Sequence, residues 1–216
     1  MALCVLSQTL QEHYGIWHIT SLVNIDSFTI SVNGTSIKRV SQFKYLGVVF
    51  DERLNWNDHI KFILAKAGKR VGMLGRIRYC ITWHSAKIIY TSMIRPIIEY
   101  YDTVWGCCGQ VNENALESLQ RRAGRIVCRA SSSEDAIEKL NLTTLAYRQS
   151  KHTLNLVNKC RNGQCPPFFK NYFTFNKHLY SRDTRQKNLI HLPSVRTEIA
   201  KRSFYYYGSI VYNSSK

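Results

Sequence analysis

The chain has 216 residues and 44% of them are hydrophobic, enough for one large domain or two small ones with a real core. It carries 30 Lys and Arg against 14 Asp and Glu, and the formal net charge of +16 favours nucleic acid as a partner, ahead of an acidic membrane surface. No stretch approaches the roughly 18 consecutive apolar residues of a membrane span, and no basic leader is present, so neither a span nor a signal peptide is predicted.

The seven cysteines are odd in number and scattered through a chain large enough to fold without disulfides. We therefore expect reduced thiols in a cytoplasmic or nuclear protein that is not secreted. Cys160, Cys165 and His178 give a weak zinc signal, but the spacing does not supply four ligands. Buried thiols are the default alternative, and no metal site is predicted.

Residues 1–27 show no clean period and are left unassigned. Residues 28–56 are predicted to form a small antiparallel sheet of about three strands. Residues 28–32 alternate apolar and polar side chains, as in a half-buried strand. Asn33-Gly34 is a strong hairpin signal, so residues 36–40 are expected to form the returning strand. A third strand is expected from Phe43 to Phe50, where Gly47 marks a bulge or a close approach of another backbone.

Residues 57–216 are predicted to be helical. The first helix begins near Asn57 or Asp58, either of which can cap it, and carries an apolar stripe with helical period. Its basic residues lie around the rest of the circumference: Lys61, Lys66, Lys69, Arg70 and Arg76. Gly68, Gly72 and Gly75 favour either a close approach of a backbone, protein or nucleic acid, or simply a weak helix centre.

Further helices follow along the chain, and the Arg95-Pro96 pair is expected to break or kink the first of them. Asn162-Gly163 is a natural end for a helix. Together with the front sheet, these helices predict an α+β chain that is mostly α-helical. The predicted ranges are Ser85–Ile94, Asn112–Ala130, Asp135–Leu140, Thr143–Arg161 and Val195–Tyr207.

Two basic features are candidates for nucleic-acid contact. Arg121, Arg122, Arg125 and Arg129 lie together opposite the apolar stripe of their helix, and arginine suits phosphate because of its forked donors. The alternative is a solvated helix face. Arg202 precedes a run of aromatic residues at 204–207 that could stack on bases, although such spacing is also typical of a core.

Several motifs follow one another in a distinctive order. They are Phe43-Lys44-Tyr45-Leu46-Gly47-Val48-Val49, Leu54-Asn55-Trp56-Asn57-Asp58-His59-Ile60, Pro96-Ile97-Ile98-Glu99-Tyr100 with Trp105-Gly106, Leu119-Gln120-Arg121-Arg122-Ala123, Thr184-Arg185-Gln186 with Leu192-Pro193, and Arg202-Ser203-Phe204. In this order they resemble the motifs of non-LTR retrotransposon reverse transcriptases, with the jockey-like LINE elements the closest fit. The resemblance covers roughly residues 28–213, and only the combination of motifs is specific.

The resemblance implies a primer-grip hairpin at Tyr45, Leu46 and Gly47, at the end of a polymerase palm spanning 28–56. It implies that 57–216 form a thumb-like bundle and connection. The family's aromatic-x-Asp-Asp motif is absent from this sequence, so no catalytic residue is predicted, and Mg²⁺ would belong to the palm that is missing. No other cofactor is expected.

The expected function is the binding of RNA or DNA by a polymerase remnant that is inactive alone. The expected contacts are Lys66, Lys69, Arg70, Arg76, Arg121, Arg122, Arg125, Arg129 and Arg202. One alternative is a helical protein-interaction module or a product without function. Another is a polymerase subunit completed by a second chain that supplies the metal-binding carboxylates.

Overall fold

A computed structural model of the chain describes residues 30–32, 35–37, 40–169, 171–180 and 185–216, and for the first two ranges it describes the backbone only. The unassigned segment 1–27 lies outside the described residues, as do Asn33-Gly34 and Thr184. Within the described residues the chain is mostly α-helical, with short antiparallel strands at its front. The predicted α+β, mostly α fold class is therefore confirmed.

The described strands form two separate hairpins. Strand β1 (Ile30–Val32) pairs with β2 (Thr35–Ile37), and β3 (Gln42–Tyr45) pairs with β4 (Val48–Asp51). The single strand predicted from Phe43 to Phe50 is therefore wrong, and so is its joining with the first two in one sheet.

The physical reason is the turn between β3 and β4. Leu46 has φ 47° and Gly47 has φ 86°, the pair of positive values that a two-residue hairpin turn requires. Glycine adopts such a conformation at no steric cost, whereas Leu46 is an uncommon choice for it. Gly47 therefore marks a chain reversal instead of a bulge.

Helix α1 (Asn57–Ile77) begins without a side-chain cap of its own, so the predicted capping by Asn57 or Asp58 is wrong. Its start is fixed by Asp51 at the end of β4. The Asp51 carboxylate accepts hydrogen bonds from the backbone N–H groups of Arg53, Asn55 and Trp56, at 3.0 to 3.3 Å. This holds Trp56 in a left-handed conformation with φ 67°.

The predicted break at Arg95-Pro96 is a local distortion, and the helical path continues through it. Helix α2 (Trp83–Ile89) runs into a π-helical turn (Tyr90–Ile94) and then α3 (Arg95–Glu99). The Arg95 N–H bonds to the carbonyl of Tyr90, five residues back. Pro96 then lies in the first turn of α3, where its missing N–H costs little.

The helices predicted at 112–130, 135–140 and 143–161 are found with ends shifted by at most two residues, whereas the short helices at 102–105 and 176–179 were not predicted. The predicted final helix is split, because the Ser203 hydroxyl accepts from Tyr206 N and starts a new helix. Ser132 and Thr144 cap two of the other helices in the same way. The ranges are α4 (Asp102–Trp105), α5 (Gln110–Cys128), α6 (Ser133–Leu140), α7 (Leu145–Arg161), α8 (Asn176–Leu179), α9 (Glu198–Lys201) and α10 (Phe204–Ser214).

The buried hydrophobic residues form two clusters. The larger one gathers the apolar stripes of α1 and α5 with residues of α2 and α3. The smaller one joins the end of α7 to α10 and to the aromatic segment after Pro167. In this smaller cluster the ring centroids of Phe204 and Phe173 are 5.4 Å apart, and those of Tyr205 and Tyr172 are 5.3 Å apart. Phe204 and Tyr205 are thus half-buried side chains that pack against the smaller cluster.

We expect Gly47→Ala to destabilise the protein by more than Gly163→Ala. Both residues have positive φ, which costs alanine roughly 1–2 kcal/mol. A Cβ at Gly47 would also lie 3.2 Å from Cε1 of Tyr100, while a Cβ at Gly163 meets nothing within 4 Å. Chemical denaturation of the two variants measures the difference. Equal losses would show that the Tyr100 ring yields freely.

Candidate nucleic-acid interface

A groove of about 420 Å³ opens where the β3–β4 turn faces α1 and the π-helical turn before α3. Its walls come from three separate stretches of the sequence, 44–47, 59–70 and 92–100. Three basic side chains line it, Lys44 from β3 and Lys66 and Arg70 from α1. No acidic side chain occurs among the described residues that line it. The groove therefore presents uncompensated positive charge.

Aromatic rings form part of the same wall. The Lys44 ammonium lies 4.4 Å from the centroid of the Phe62 ring, and the Lys66 ammonium lies 5.9 Å from it. A cation over a ring face is held by the ring quadrupole without being neutralised. Phe62 thus gathers two lysines of the groove and leaves their charge available.

Tyr100 joins the turn to the rest of the fold. Its hydroxyl donates to the carbonyl of Leu46 at 3.0 Å, and its ring lies against Gly47. The Tyr100 carbonyl in turn accepts from Nε1 of the buried Trp105 at 2.8 Å. With 48% of its surface exposed, Tyr100 both positions the tip of the hairpin and offers a ring to the groove.

Arg70 is fixed by the distorted helix opposite it. Its Nη1 donates to the carbonyl of Met93 at 2.6 Å. Met93 belongs to the π-helical turn that precedes Pro96. A carbonyl of this π-helical turn thus orients one guanidinium nitrogen, and a guanidinium carries further donors for a ligand.

His59 forms the floor of the groove and is only 2% exposed. Burial lowers the pKa of its imidazole to about 4, so the ring is neutral at pH 7. Its Nδ1 accepts from Val49 N at 3.2 Å, which places the ring proton on Nε2. That Nε2 has no hydrogen-bond partner among the described residues.

The structure brings together four of the residues predicted to form the site: Leu46, Gly47, Lys66 and Arg70. Tyr45 does not line the groove and stacks with Phe43 at 6.5 Å between ring centroids. Lys69 and Arg76 are exposed on α1 but lie outside the groove lining. Sequence reasoning did not select Lys44, Phe62 and Tyr100 as site residues. Lys44 and Tyr100 occur in the recognised motifs, and that was the available signal.

Arg121, Arg122, Arg125 and Arg129 are all exposed, as expected for the arginine face predicted on α5. Arg129 differs from the other three because it follows the last residue of the helix, in a left-handed conformation with φ 51°. Its Nη2 donates to the carbonyl of Arg78 at 3.0 Å, and its guanidinium lies 4.5 Å from the Tyr79 ring centroid.

Arg202 lies at the end of α9, away from the groove lining. Its carbonyl accepts a hydrogen bond from the Cys107 thiol at 2.9 Å. The structure therefore does not bring Arg202 together with the basic residues of α1.

The glycines of α1 do not serve close packing within the described chain. A Cβ at Gly68 or Gly72 would meet nothing within 4 Å, and one at Gly75 would meet only Cδ1 of Ile126 at 3.7 Å. No described protein backbone therefore approaches them. An approach by nucleic acid stays a prediction.

The described residues include no cluster of three or more His, Cys, Asp or Glu side chains placed to hold a metal ion. Cys160 and Cys165, two of the three residues behind the weak zinc signal, are in contact. His178, the third, does not join them in a cluster that could hold a metal ion. Among the described helices, none combines the length and the apolar character needed to cross a membrane.

The geometry defines a mostly helical protein with a groove lined by basic and aromatic side chains. Among known proteins, the chain is 28% identical over 138 residues to the "Probable RNA-directed DNA polymerase from transposon BS" of Drosophila melanogaster, covering 61% of this chain and 15% of the relative. It is 28% identical over 116 residues to the "Retrovirus-related Pol polyprotein from type-1 retrotransposable element R1" of Bradysia coprophila, covering 49% and 11%.

The predicted relationship to retrotransposon RNA-directed DNA polymerases is thus confirmed by homology to part of such proteins. The chain spans less than a sixth of the length of either relative. No protein-family model and no solved structure matches it.

We expect acid to destabilise the protein through His59. In the unfolded chain the imidazole takes up a proton near pH 6.5, whereas in the folded protein its pKa is lowered to about 4. Stability is therefore lost as the pH falls from about 6.5 to about 4. The loss reaches about 3 kcal/mol at most. His59→Asn retains an acceptor near Val49 N and does not titrate, so its stability should fall less between pH 6.5 and 4.5. His84→Asn, at an exposed position, is the control. Identical pH profiles for wild type and His59→Asn would refute this role.

Proposed function

We propose that this chain binds RNA or DNA as a segment of a retrotransposon RNA-directed DNA polymerase, through the groove between the β3–β4 turn and α1. One observation carries the proposal. Three basic side chains, Lys44, Lys66 and Arg70, meet two aromatic rings, Phe62 and Tyr100, in one groove without acidic residues among the described lining. Homology to parts of two retrotransposon polymerases agrees with it.

The chemistry of the groove suits a nucleic-acid strand. Lysine and arginine contact phosphate oxygens, and exposed aromatic rings stack on bases with little sequence preference. Lys44 and Lys66 are held over Phe62, and Arg70 is held by the carbonyl of Met93. These side chains are therefore already ordered, and binding should cost little further side-chain entropy. We infer contact with the sugar-phosphate backbone, with no base readout.

The primer-grip assignment of Tyr45, Leu46 and Gly47 is part of this proposal. Its support is the position of Leu46 and Gly47 at the tip of a tight hairpin, with the tip tied to Tyr100 at the groove. The assignment of residues 28–56 to the end of a palm and of 57–216 to a thumb and connection rests on the resemblance and on the change from hairpins to helices near residue 57.

The test is fluorescence anisotropy with single-stranded RNA and with duplexes at several salt concentrations. Each lost phosphate contact should reduce the log–log salt slope by about 0.7 to 0.9, so Lys44→Gln/Lys66→Gln/Arg70→Gln should flatten it by about 2 to 3. A control variant removes the same charge from exposed positions outside the groove and should leave the slope nearly unchanged. It is Lys151→Gln/Lys159→Gln/Arg196→Gln. Equal slopes in all three folded proteins would favour a helical protein-interaction module instead.

The exposed arginines of α5 form a second arm of the same experiment. Arg121→Gln/Arg122→Gln/Arg125→Gln keeps helix propensity nearly unchanged and should weaken binding to RNA and duplexes alike. Arg129→Gln should instead lower thermal stability, because it removes the hydrogen bond to Arg78 and the contact with Tyr79. An unchanged salt slope for the triple variant would mean that this face is only solvated.

We further infer that the chain by itself does not extend a primer. Two-metal phosphoryl transfer needs carboxylates held close together, and the aromatic-x-Asp-Asp motif is absent from the sequence. Primer extension with Mg²⁺ or Mn²⁺ should therefore give no product above background. Chelator-sensitive extension by the purified chain would overturn the inference. Extension that appears only after a second chain is added would support the subunit alternative.

A further inference from the structure

The second hydrophobic cluster contains a pair of thiols that nucleic-acid binding does not use. Cys160 lies in the last turn of α7 and is 2% exposed, whereas Cys165 lies five residues on and is half-buried. Their sulfur atoms are 3.1 Å apart. The fold thus brings two free thiols into direct contact within one chain.

The backbone between the two cysteines already makes the reversal that a bridge requires. Gly163 has φ 71°, and Gln164 N bonds back to the carbonyl of Lys159 at 2.9 Å. The sulfur atoms would need to move about 1 Å closer to reach a disulfide bond length. This movement is small enough for side-chain rotation to supply most of it.

We propose that Cys160 and Cys165 form an intrachain disulfide when the protein meets hydrogen peroxide, and that a small dithiol reduces it again. The site is a covalent modification site at the end of α7, separate from the groove.

With a peroxide, the more exposed Cys165 reacts first. Its thiolate attacks one peroxide oxygen and becomes a sulfenic acid, and the second oxygen leaves as hydroxide. The Cys160 sulfur then attacks the sulfenic sulfur, and its proton leaves with the departing hydroxide as water. In sum, two thiols and one hydrogen peroxide give one disulfide and two waters.

The environment assigns the two roles. Burial raises the pKa of the Cys160 thiol to about 12, so Cys160 is a poor first nucleophile and a suitable resolving thiol once the neighbouring sulfur is oxidised. The resulting bridge would hold the end of α7 to the segment that leads into Phe169, and so pin one edge of the second cluster.

The sequence provides a specific assay. Trypsin cleaves after Lys159, Arg161 and Lys170, so Cys160 and Cys165 fall on different peptides. Treatment of the folded chain with hydrogen peroxide, alkylation under denaturing conditions and non-reducing digestion should yield the peptide 160–161 joined to the peptide 162–170. Dithiothreitol should separate them and restore alkylation of both cysteines.

Two variants complete the test. Cys165→Ser should leave Cys160 reduced and fully alkylated after the same peroxide treatment, whereas Cys128→Ser, at another half-buried thiol, should leave the cross-link intact. The proposal fails if peroxide oxidises the exposed Cys80 while both Cys160 and Cys165 remain alkylatable. It also fails if Cys160 pairs with another cysteine as readily as with Cys165.

Discussion

The carboxylate of Asp51 is the constraint on which the arrangement of the front of the molecule depends. It accepts three backbone N–H groups in the loop between β4 and α1, and so fixes a reversal in which Leu54 and Trp56 both have positive φ. A hydrogen bond from an amide to a charged acceptor contributes more than a neutral one, about 1.5–3 kcal/mol. This offsets the strain of two non-glycine residues in a left-handed conformation.

The position of Trp56 carries this constraint into the core. The indole is 3% exposed and packs edge to face on Phe50 of β4, with 5.5 Å between ring centroids. Helix α1 starts at the next residue, so the hairpin and the helix are oriented by one buried ring. The groove depends on the same geometry, because Leu46 and Gly47 come from the hairpin while Lys66 and Arg70 come from the helix.

Much of the helical architecture could be predicted from the sequence because it rests on local periodicity. The stripe of Ile60, Ile63, Ala67, Val71 and Leu74 is buried as its spacing indicated. The residue pattern did not predict the hairpin because Leu46 at positive φ gives no turn signal, and the run from 43 to 50 favours a strand apart from Lys44 and Gly47. Only the resemblance implied a hairpin at this place.

The groove could be predicted only in part, since its members come from distant segments of the chain. Lys66 and Arg70 were selected for charge alone, and nothing in the sequence indicates that Phe62 holds two lysines or that Met93 anchors Arg70. For Arg129 the spacing predicts the exposed position but not the contacts. Its guanidinium meets the carbonyl of Arg78 and the ring of Tyr79 at a left-handed helix end.

Three further acidic residues hold elements of the fold together. Glu99 binds Arg148 and joins α3 to α7, and Asp102 binds His152 at 2.6 Å and joins α4 to the same helix. Glu117 accepts from Gln120 and from Leu145 N, and thereby ties α5 to the start of α7. Like Asp51, these carboxylates are engaged in holding elements of the fold together.

Charge balance and fold are therefore coupled in this chain. A carboxylate that accepts backbone or buried side-chain donors contributes little screening to a lysine on a distant surface. Lys44 and Lys66 rest on an aromatic ring, and a ring positions a cation without cancelling its charge. The chain has 30 basic residues against 14 acidic ones, and Asp51, Glu99, Asp102 and Glu117 are engaged in contacts within the fold. The basic side chains of the groove therefore keep their charge without an acidic partner among the described lining residues.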